Sequence, residues 1–190
     1  MILVREVTAD DWELMRDVRL AALSEAPYAF GSTYAREAAF TEGNWRGRIG
    51  GPSVTFFAFA EPDDAAPAGA VLADTGPADT GPADTVLADT VLANTRPAGL
   101  AGVYVKDGAA DLVSMWVRPS ARRLGAGEAL VEAAASWAKA RGFGSLSLWV
   151  TESNAPARRL YERCGFSPTG EGQPLPSDPA LPEIRMSRAL

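Results

Sequence analysis

Apolar residues recur at two spacings along the chain, and the change between them predicts the order of strands and helices. Runs rich in β-branched and aromatic residues predict strands at 2–7, 53–60, 99–105, 111–117, 145–150, 166–170 and 183–190. Apolar residues three or four positions apart predict helices at 8–24, 32–38, 126–141 and 154–164, with a further turn at 44–49. Asp107-Gly108 predicts a hairpin turn between the third and fourth strands. The resulting order, β-α-α-β-β-β-α-β-α-β-β, predicts a mixed sheet with helices on its faces.

Two segments do not fit this alternation of strands and helices. Residues 173–182 are rich in proline and predict a loop before the last strand. From Ala73 the chain repeats ADTGP, ADTGP, ADTVL, ADTVL and ANTRP. A pentapeptide β-helix would need an apolar central residue, whereas threonine stands there each time. We therefore interpret about 67–97 as a low-complexity insertion within one domain that spans 1–190.

Composition narrows the chemistry that the chain can perform. The sequence has no histidine, which excludes histidine bases, histidine triads and histidine metal ligands. Its one cysteine, Cys164, excludes an internal disulfide and a cysteine zinc site. No bound metal is therefore expected, and a single thiol fits a reducing, cytoplasmic setting.

Charge points away from nucleic acid and membrane partners. The net charge is -6, and the excess lies between Glu61 and Pro97, where seven acids accompany one base. The remainder of the chain is neutral and lacks the basic excess of a nucleic-acid-binding protein. The N-terminus becomes charged at Arg5 and Glu6, so it does not read as a signal peptide. No apolar run approaches the roughly 20 residues of a membrane helix.

The strongest motif is the loop Arg122-Arg123-Leu124-Gly125-Ala126-Gly127, which joins a predicted strand to the long predicted helix. A tight loop that opens a helix presents free backbone N–H groups and a positive helix end to an anion, usually a phosphate. Its spacing is neither the dinucleotide pattern Gly-x-Gly-x-x-Gly nor the nucleotide P-loop. The loop therefore predicts a phosphate site of another kind.

Together with the preceding Val117-Arg118-Pro119, this loop resembles the acyl-CoA motif of the Gcn5-related N-acetyltransferases, the GNAT family. A second signature of that family is similar to the residues Asn154, Ala157, Leu160, Tyr161, Glu162, Gly165 and Phe166. The resemblance covers about 99–166. It implies an α/β (α+β) GNAT acyl-CoA N-acyltransferase fold, with a mixed central sheet of six to seven strands and about four helices.

The resemblance also implies acetyl-CoA as co-substrate and direct attack on its thioester by a primary amine, carried by a small molecule or a peptide. Backbone N–H groups of 123–127 would wrap the pyrophosphate, and the two glycines would permit its close approach. Of the two loop arginines, one is expected to be a bystander. The pantetheine arm would pair with the strand 111–117. The expected coenzyme-binding residues are Met115, Val117, Arg122, Arg123, Leu124, Gly125, Ala126, Gly127 and Asn154.

The resemblance further implies two catalytic residues, Tyr161 and Asp111. Tyr161 would protonate the leaving thiolate, although it could also be a packing residue. The amine must be neutral, and deprotonating a lysine-like amine at pH 7 costs about 4.6 kcal/mol. Alternation places Asp111 on the strand face of Met115, as a water-assisted base or merely as the start of the strand. Glu152 is a second candidate base. Asn154 would bind the pantetheine amide, cap its helix, or do both.

Two other functions fit the same sequence. One is a non-catalytic acyl-CoA-binding sensor on the same fold. The other is an interaction protein that works through the repeat insertion. The sequence leaves the acceptor open, and it is compatible with a homodimer.

Overall fold

A seven-stranded mixed sheet organises the computed structural model, which describes residues 1–60 and 96–190. The strand order is β1-β2-β3-β4-β5-β7-β6. The strands are β1 (Ile2–Glu6), β2 (Val54–Ala60), β3 (Gly99–Lys106), β4 (Ala109–Val117), β5 (Ser145–Thr151), β6 (Ser167–Leu175) and β7 (Asp178–Ala189). Neighbouring strands are antiparallel except for β4 and β5, which are parallel. This confirms the predicted mixed sheet of six to seven strands.

Five α-helices lie in the described part of the chain, and two of them are long. The helices are α1 (Trp12–Glu25), α2 (Tyr34–Ala38), α3 (Glu42–Gly47), α4 (Ala126–Ala140) and α5 (Ala155–Arg163). The predicted Asp-Gly turn between β3 and β4 is present, with positive φ angles of 51° at Asp107 and 78° at Gly108. The predicted insertion at about 67–97 lies outside the described residues apart from its last two positions.

The sheet separates two hydrophobic cores. On the side that we call the α4 face, α4 and α5 pack through residues such as Leu130, Trp137 and Tyr161. On the opposite side, the α1 face, α1 and α3 pack on Phe57 and Phe59 of β2 and on Trp116 of β4. Alternation along β2 supplies both cores, since Phe56 and Ala58 belong to the α4 face.

A β-bulge near Ser114 shifts the alternation of β4. Leu100 of β3 pairs with Trp116, but Gly102 pairs with Val113, so β4 contains one extra residue. Ser114 has a φ of 57°, in the left-handed region. Before the bulge Leu112 belongs to the α4-face core, whereas after it Trp116 belongs to the α1-face core.

The bulge makes one prediction wrong. Met115 and Val117 do share a side, the α4 face, where both pack against the core. Asp111 lies before the bulge and on the other side, because it alternates with Leu112 of the α4-face core. Plain alternation would have placed Asp111 and Met115 together, and the extra residue reverses that relation.

Two further features of the sheet position the site. Strands β4 and β5 pair only at Asp111 and Ser147. Within the described residues, these two strands are therefore not paired with each other at their C-terminal ends. The predicted loop at 173–182 is wrong, because these residues form the hairpin of β6 and β7. Pro174 is compatible with it because β6 is an edge strand with a register shift at that position. Pro179 and Pro182 are compatible because they lie on the part of β7 that extends past its last pair with β5, Thr151 and Glu183.

Candidate functional site

The glycine loop opens α4, and its two glycines have different physical roles. Gly125 is the N-cap of α4 with a φ of 87°, where a side chain would be strained. Gly127 lies inside the helix, and a Cβ there would come 3.0 Å from Cδ2 of Leu160 on α5. Gly125 therefore shapes the loop, while Gly127 lets α5 pack closely on the first turn of α4.

The two loop arginines also differ. Arg122 is held in place, since its Nη2 donates to Glu25 of α1 at 2.8 Å and its Nε donates to the Val117 carbonyl at 3.0 Å. Burial raises the pKa of Glu25, but hydrogen bonds from Trp116 and Arg122 outweigh it and leave that pKa below its ordinary value. Arg123 is exposed, with a φ of 68°. The Arg122 side chain thus connects the loop to α1 and to the end of β4, whereas its predicted contact with the coenzyme stays a prediction.

Helix α5 presents Asn154 and Tyr161 beside this loop. The Asn154 side chain accepts a hydrogen bond from the Ala157 N–H at 3.3 Å, so it caps the helix. The Tyr161 ring is buried in the α4-face core, 5.9 Å from the ring of Phe166. Burial raises the pKa of Tyr161, so the phenol stays protonated and its O–H remains available as a hydrogen-bond donor. Cys164 is buried in the same core.

A cavity of about 580 Å³ lies on the α1 face, which is within the usual size of small-molecule sites. Its lining residues come from α1, the segment before α2, α2, α3 and the strands β4 to β7. They are Arg19, Ala29, Phe30, Gly31, Ser32, Arg36, Glu37, Phe40, Asn44, Arg48, Asp111, Leu112, Val113, Ser114, Trp149, Gln173, Pro176 and Glu183. The sequence predicted only Asp111 among them as a site residue.

Asp111 reaches this cavity in an ion pair. Its Oδ1 lies 3.3 Å from Nη2 of Arg185 on β7, and both side chains are about one quarter exposed. Arg185 also approaches Glu171 at 3.5 Å and stands over the Trp149 ring at 5.6 Å. Because Arg185 pairs with one oxygen of the Asp111 carboxylate, Asp111 is a weaker candidate base than the sequence indicated.

Glu183 is a cavity residue that the sequence reasoning missed. It is 7% exposed on β7, opposite Thr151, and it accepts a hydrogen bond from Nε2 of Gln173 at 3.0 Å. Burial raises the pKa of Glu183, only partly offset by Gln173. The predicted strand 183–190 already placed Glu183 opposite the apolar side of Ile184 and Met186, but no local signal marked this carboxylate as a cavity residue. Glu152, the other predicted base, is exposed and is not a lining residue.

A buried ionic cluster forms the helical wall of the cavity. Glu37 of α2 accepts from Nε and Nη2 of Arg19 at 3.0 and 2.9 Å, and it pairs with Arg48 at 2.9 Å. Burial raises the pKa of Glu37, but the two guanidiniums outweigh it and leave that pKa lowered. The cluster links α1, α2 and the end of α3, so it holds the helical wall together.

The predicted coenzyme residues and the cavity therefore lie on opposite faces of the sheet. Met115, Tyr161 and the glycine loop gather on the α4 face. Asp111 and Glu183 line the cavity on the α1 face. The two sides can meet where the β4–β5 ladder stops, beyond Asp111 and Ser147.

Metal-ion clusters and membrane-spanning helices are both absent from the part of the chain that the structure describes. No group of three or more Cys, Asp or Glu side chains in 1–60 and 96–190 is arranged to hold a metal ion. Across those two ranges, every helix is too short or too polar to span a bilayer.

Residues 22–166 match the model of the acetyltransferase (GNAT) family. Acetyl transferase GW6a of Oryza sativa subsp. japonica is 45% identical over 60 residues, which are 31% of this chain and 14% of that protein. The putative [ribosomal protein bS18]-alanine N-acetyltransferase of Bacillus subtilis (strain 168) is 33% identical over 73 residues, 38% of this chain and 48% of its own. The matches therefore span less than half of these relatives.

Solved structures agree in fold. The acetyltransferase of GNAT family from Streptococcus pneumoniae aligns with a TM-score of 0.67 at 18% identity, over 100% of this chain and 99% of that one. The paia N-acetyltransferase from Thermoplasma acidophilum, solved in complex with coenzyme A, aligns with a TM-score of 0.59 at 13% identity, over 100% and 99%. At these identities the likeness concerns the fold alone.

Proposed function

The chain belongs to the GNAT acetyltransferase family, and from that membership we propose an N-acetyltransferase that moves an acetyl group from acetyl-CoA to a primary amine. The observation that carries the proposal is the placement of a phosphate-type loop and an amine-sized cavity on opposite faces of one sheet. We expect the two substrates to meet beyond the last β4–β5 pair, Asp111 and Ser147, since Asp111 lines the cavity. Direct attack needs such a passage, because both substrates must reach one reacting carbon.

The residues of the α4 face suit the donor. The N–H groups of 123–127 open α4 in a left-handed turn at Gly125, and Arg123 adds a positive charge. Met115 and Val117 would flank the pantetheine arm. Because its oxygen caps α5, Asn154 retains its amide N–H groups for that arm. Acetyl-CoA supplies the activated acetyl group.

Tyr161 suits the leaving group as a donor. Its raised pKa makes complete proton transfer to a thiolate less favourable, so we assign it a hydrogen bond that strengthens as the C–S bond breaks. Burial of Tyr161 therefore works against the full protonation of the thiolate that the family resemblance implies.

We propose Glu183 as the base that removes a proton from the attacking ammonium. Asp111, acting through a water molecule, is the alternative base. Glu183 has no ion pair among residues 1–60 and 96–190, whereas Asp111 is paired with Arg185. In the step, Glu183 takes one proton from the ammonium, the freed nitrogen lone pair forms the C–N bond with the thioester carbon, and the C–S bond breaks. The nitrogen then loses a second proton to solvent, which leaves a neutral amide. The thiolate takes a proton from solvent while Tyr161 stabilises it.

Thiol release from acetyl-CoA in the presence of a panel of amines tests the activity. We expect saturable release that depends on the amine, and a loss of about tenfold or more in Tyr161→Phe with coenzyme A binding retained. Tyr34→Phe, at an exposed position on α2, is the matched control. Unchanged turnover in Tyr161→Phe would remove its assigned role. Binding without any amine-dependent release would favour the acyl-CoA sensor.

A further inference from the structure

The two walls of the α1-face cavity carry opposite charge. The helical wall contributes Arg19, Arg36 and Arg48 against the single carboxylate of Glu37. The sheet wall contributes the carboxylates Asp111 and Glu183 and no cationic lining residue. Arg185, which pairs with Asp111 from outside the lining, offsets part of this negative charge, so the sheet wall is negative mainly at Glu183. The cavity is thus positive on its helical side and negative at Glu183.

The positive side keeps unused capacity for an anion. Glu37 is shared by two guanidiniums, and Nη1 of Arg19 is buried without a hydrogen-bond partner. The Arg48 side chain, about one third exposed, uses Nη1 for Glu37. Burial lowers the pKa of Arg48, so an added anion would favour its charged form. Arg36 is exposed at the rim.

The negative side lies at the passage to the donor. Asp111 is the last residue of β4 that is paired with β5, and Glu183 lies beside Thr151 near the end of β5. An ammonium group drawn to these carboxylates is therefore placed where the proposed transfer occurs. Aromatic side chains of Phe30, Phe40 and Trp149 lie on the same cavity lining.

We propose that the acceptor is a small amine that also carries an anionic group, a carboxylate or a phosphate, as an amino acid does. Its ammonium end faces Glu183 and Asp111, and its anionic end faces Arg48 and Arg36. Its apolar part contacts the aromatic residues. This proposal rests on the proposed N-acetyltransferase function and specifies the substrate class of the same site.

Matched pairs of acceptors test the proposal directly. L-Phenylalanine against phenethylamine isolates a carboxylate, and O-phosphoethanolamine against ethanolamine isolates a phosphate. We expect the anionic member of at least one pair to have a kcat/KM about tenfold higher or more, the size of one charge-assisted hydrogen bond. The pair with the larger ratio identifies the anion. Ratios near one in both pairs overturn the proposal and leave the N-acetyltransferase function standing.

Two arginine variants locate the anion site. Arg36→Met should raise the KM of the anionic acceptor about tenfold more than the KM of its partner without the anionic group, with little change in kcat. Arg48→Met should show the same difference between the two acceptors, and because Arg36 is exposed, its variant keeps the fold even if Arg48→Met does not. Arg16→Met is the control, since Arg16 lies on α1 outside the cavity lining with about one third of its side chain exposed. Equal effects on both members of a pair contradict the assignment.

A binding measurement separates the two proposals. Calorimetric titration of L-phenylalanine, phenethylamine, O-phosphoethanolamine and ethanolamine into the protein requires no turnover. Preferential binding of the anionic members supports the acceptor class even if thiol release is absent, which would count against the N-acetyltransferase function alone. Binding of neither anionic member, or equal binding within both pairs, overturns the acceptor class.

Discussion

The two faces of the sheet are built on different principles. On the α4 face, the site residues come from two contiguous stretches, 115–127 and 154–161, and their support is apolar packing. On the α1 face, the cavity draws Arg19, Glu37, Asp111 and Glu183 from distant parts of the chain, and ion pairs fix Glu37 and Asp111. The proposed coenzyme face is encoded locally in the sequence, whereas the other face depends on tertiary assembly.

This difference predicts where mutations act. Disturbing a charge on the α1 face should alter stability or acceptor use. Disturbing backbone geometry on the α4 face should alter coenzyme binding with a smaller effect on stability.

Glu37→Ala should lower the free energy of unfolding by about 3–5 kcal/mol, because it leaves Arg19 buried without its partner. Chemical denaturation at neutral pH measures the change. Glu42→Ala is the control, since its exposed pair with Arg46 contributes at most about 1 kcal/mol. A loss equal to that of the control would show that charge does not hold the α1 face together.

Glu183→Gln should reduce turnover about 10- to 100-fold while raising stability at neutral pH. The pKa of Glu183 is raised on folding, so the native state binds its proton more tightly than the unfolded chain. The contribution of Glu183 to the free energy of unfolding is therefore complete below its pKa in the unfolded chain, and it is lost as pH rises through its pKa in the folded protein. Glutamine cannot ionise, so the variant should not lose stability over that pH range. Asp111→Asn should reduce turnover less. The reverse order would transfer the role of proton acceptor to Asp111.

Gly125→Ala should destabilise the protein by about 1–2 kcal/mol and weaken coenzyme A binding, because alanine is strained at a φ of 87°. Gly144→Ala is the matched control, since that glycine has neither a positive φ nor a neighbour within 4 Å. Thermal melting and calorimetric titration with coenzyme A measure the two effects. Equal behaviour of the variants would mean that the left-handed turn is not required.

Asp11→Asn should remove about 1 kcal/mol of stability at neutral pH and almost none at pH 2, after discounting for partial exposure. Hydrogen bonds from Arg5 lead the causes that hold the pKa of Asp11 at about 2, below its ordinary value of 3.8. Its contribution is thus present above about pH 4 and lost as pH falls through about 2. Denaturation at several pH values checks this. A difference that persists at pH 2 would contradict it.

Sequence reasoning succeeded where a signal is local. A short stretch of chain is enough to predict the glycine loop, the Asn154 cap and a packing position for Tyr161. The structure shows the loop before α4, the cap of α5 and a buried Tyr161. The hairpin turn at Asp107 and Gly108 was predicted for the same reason, because Asp-Gly favours positive φ at both positions.

It failed where pairing between distant strands decides the outcome. Proline density concealed the β6–β7 hairpin, and with it the pairing of Gln173 with Glu183. Proline is accepted there because β6 is an edge strand and because β7 extends past its last pair with β5 at Glu183. The bulge at Ser114 has no sequence signal, since serine seldom adopts a positive φ. No local pattern marks Arg19 and Arg48 as partners of Glu37, because only the fold brings them to it.

The bulge in β4 also constrains how this chain can change in length. Between β2 and β3 the sequence contains repeated five-residue copies. In β4, by contrast, the effect of losing one residue depends on which residue is lost. Deleting Ser114 would remove the bulge, restore plain alternation and keep Met115, Trp116 and Val117 on their present faces. Deleting another residue of β4 while the bulge remained would exchange the faces of the residues on one side of the deletion relative to those on the other. Ser114 is therefore the position at which β4 can lose a residue without exchanging the surroundings of the two proposed substrates.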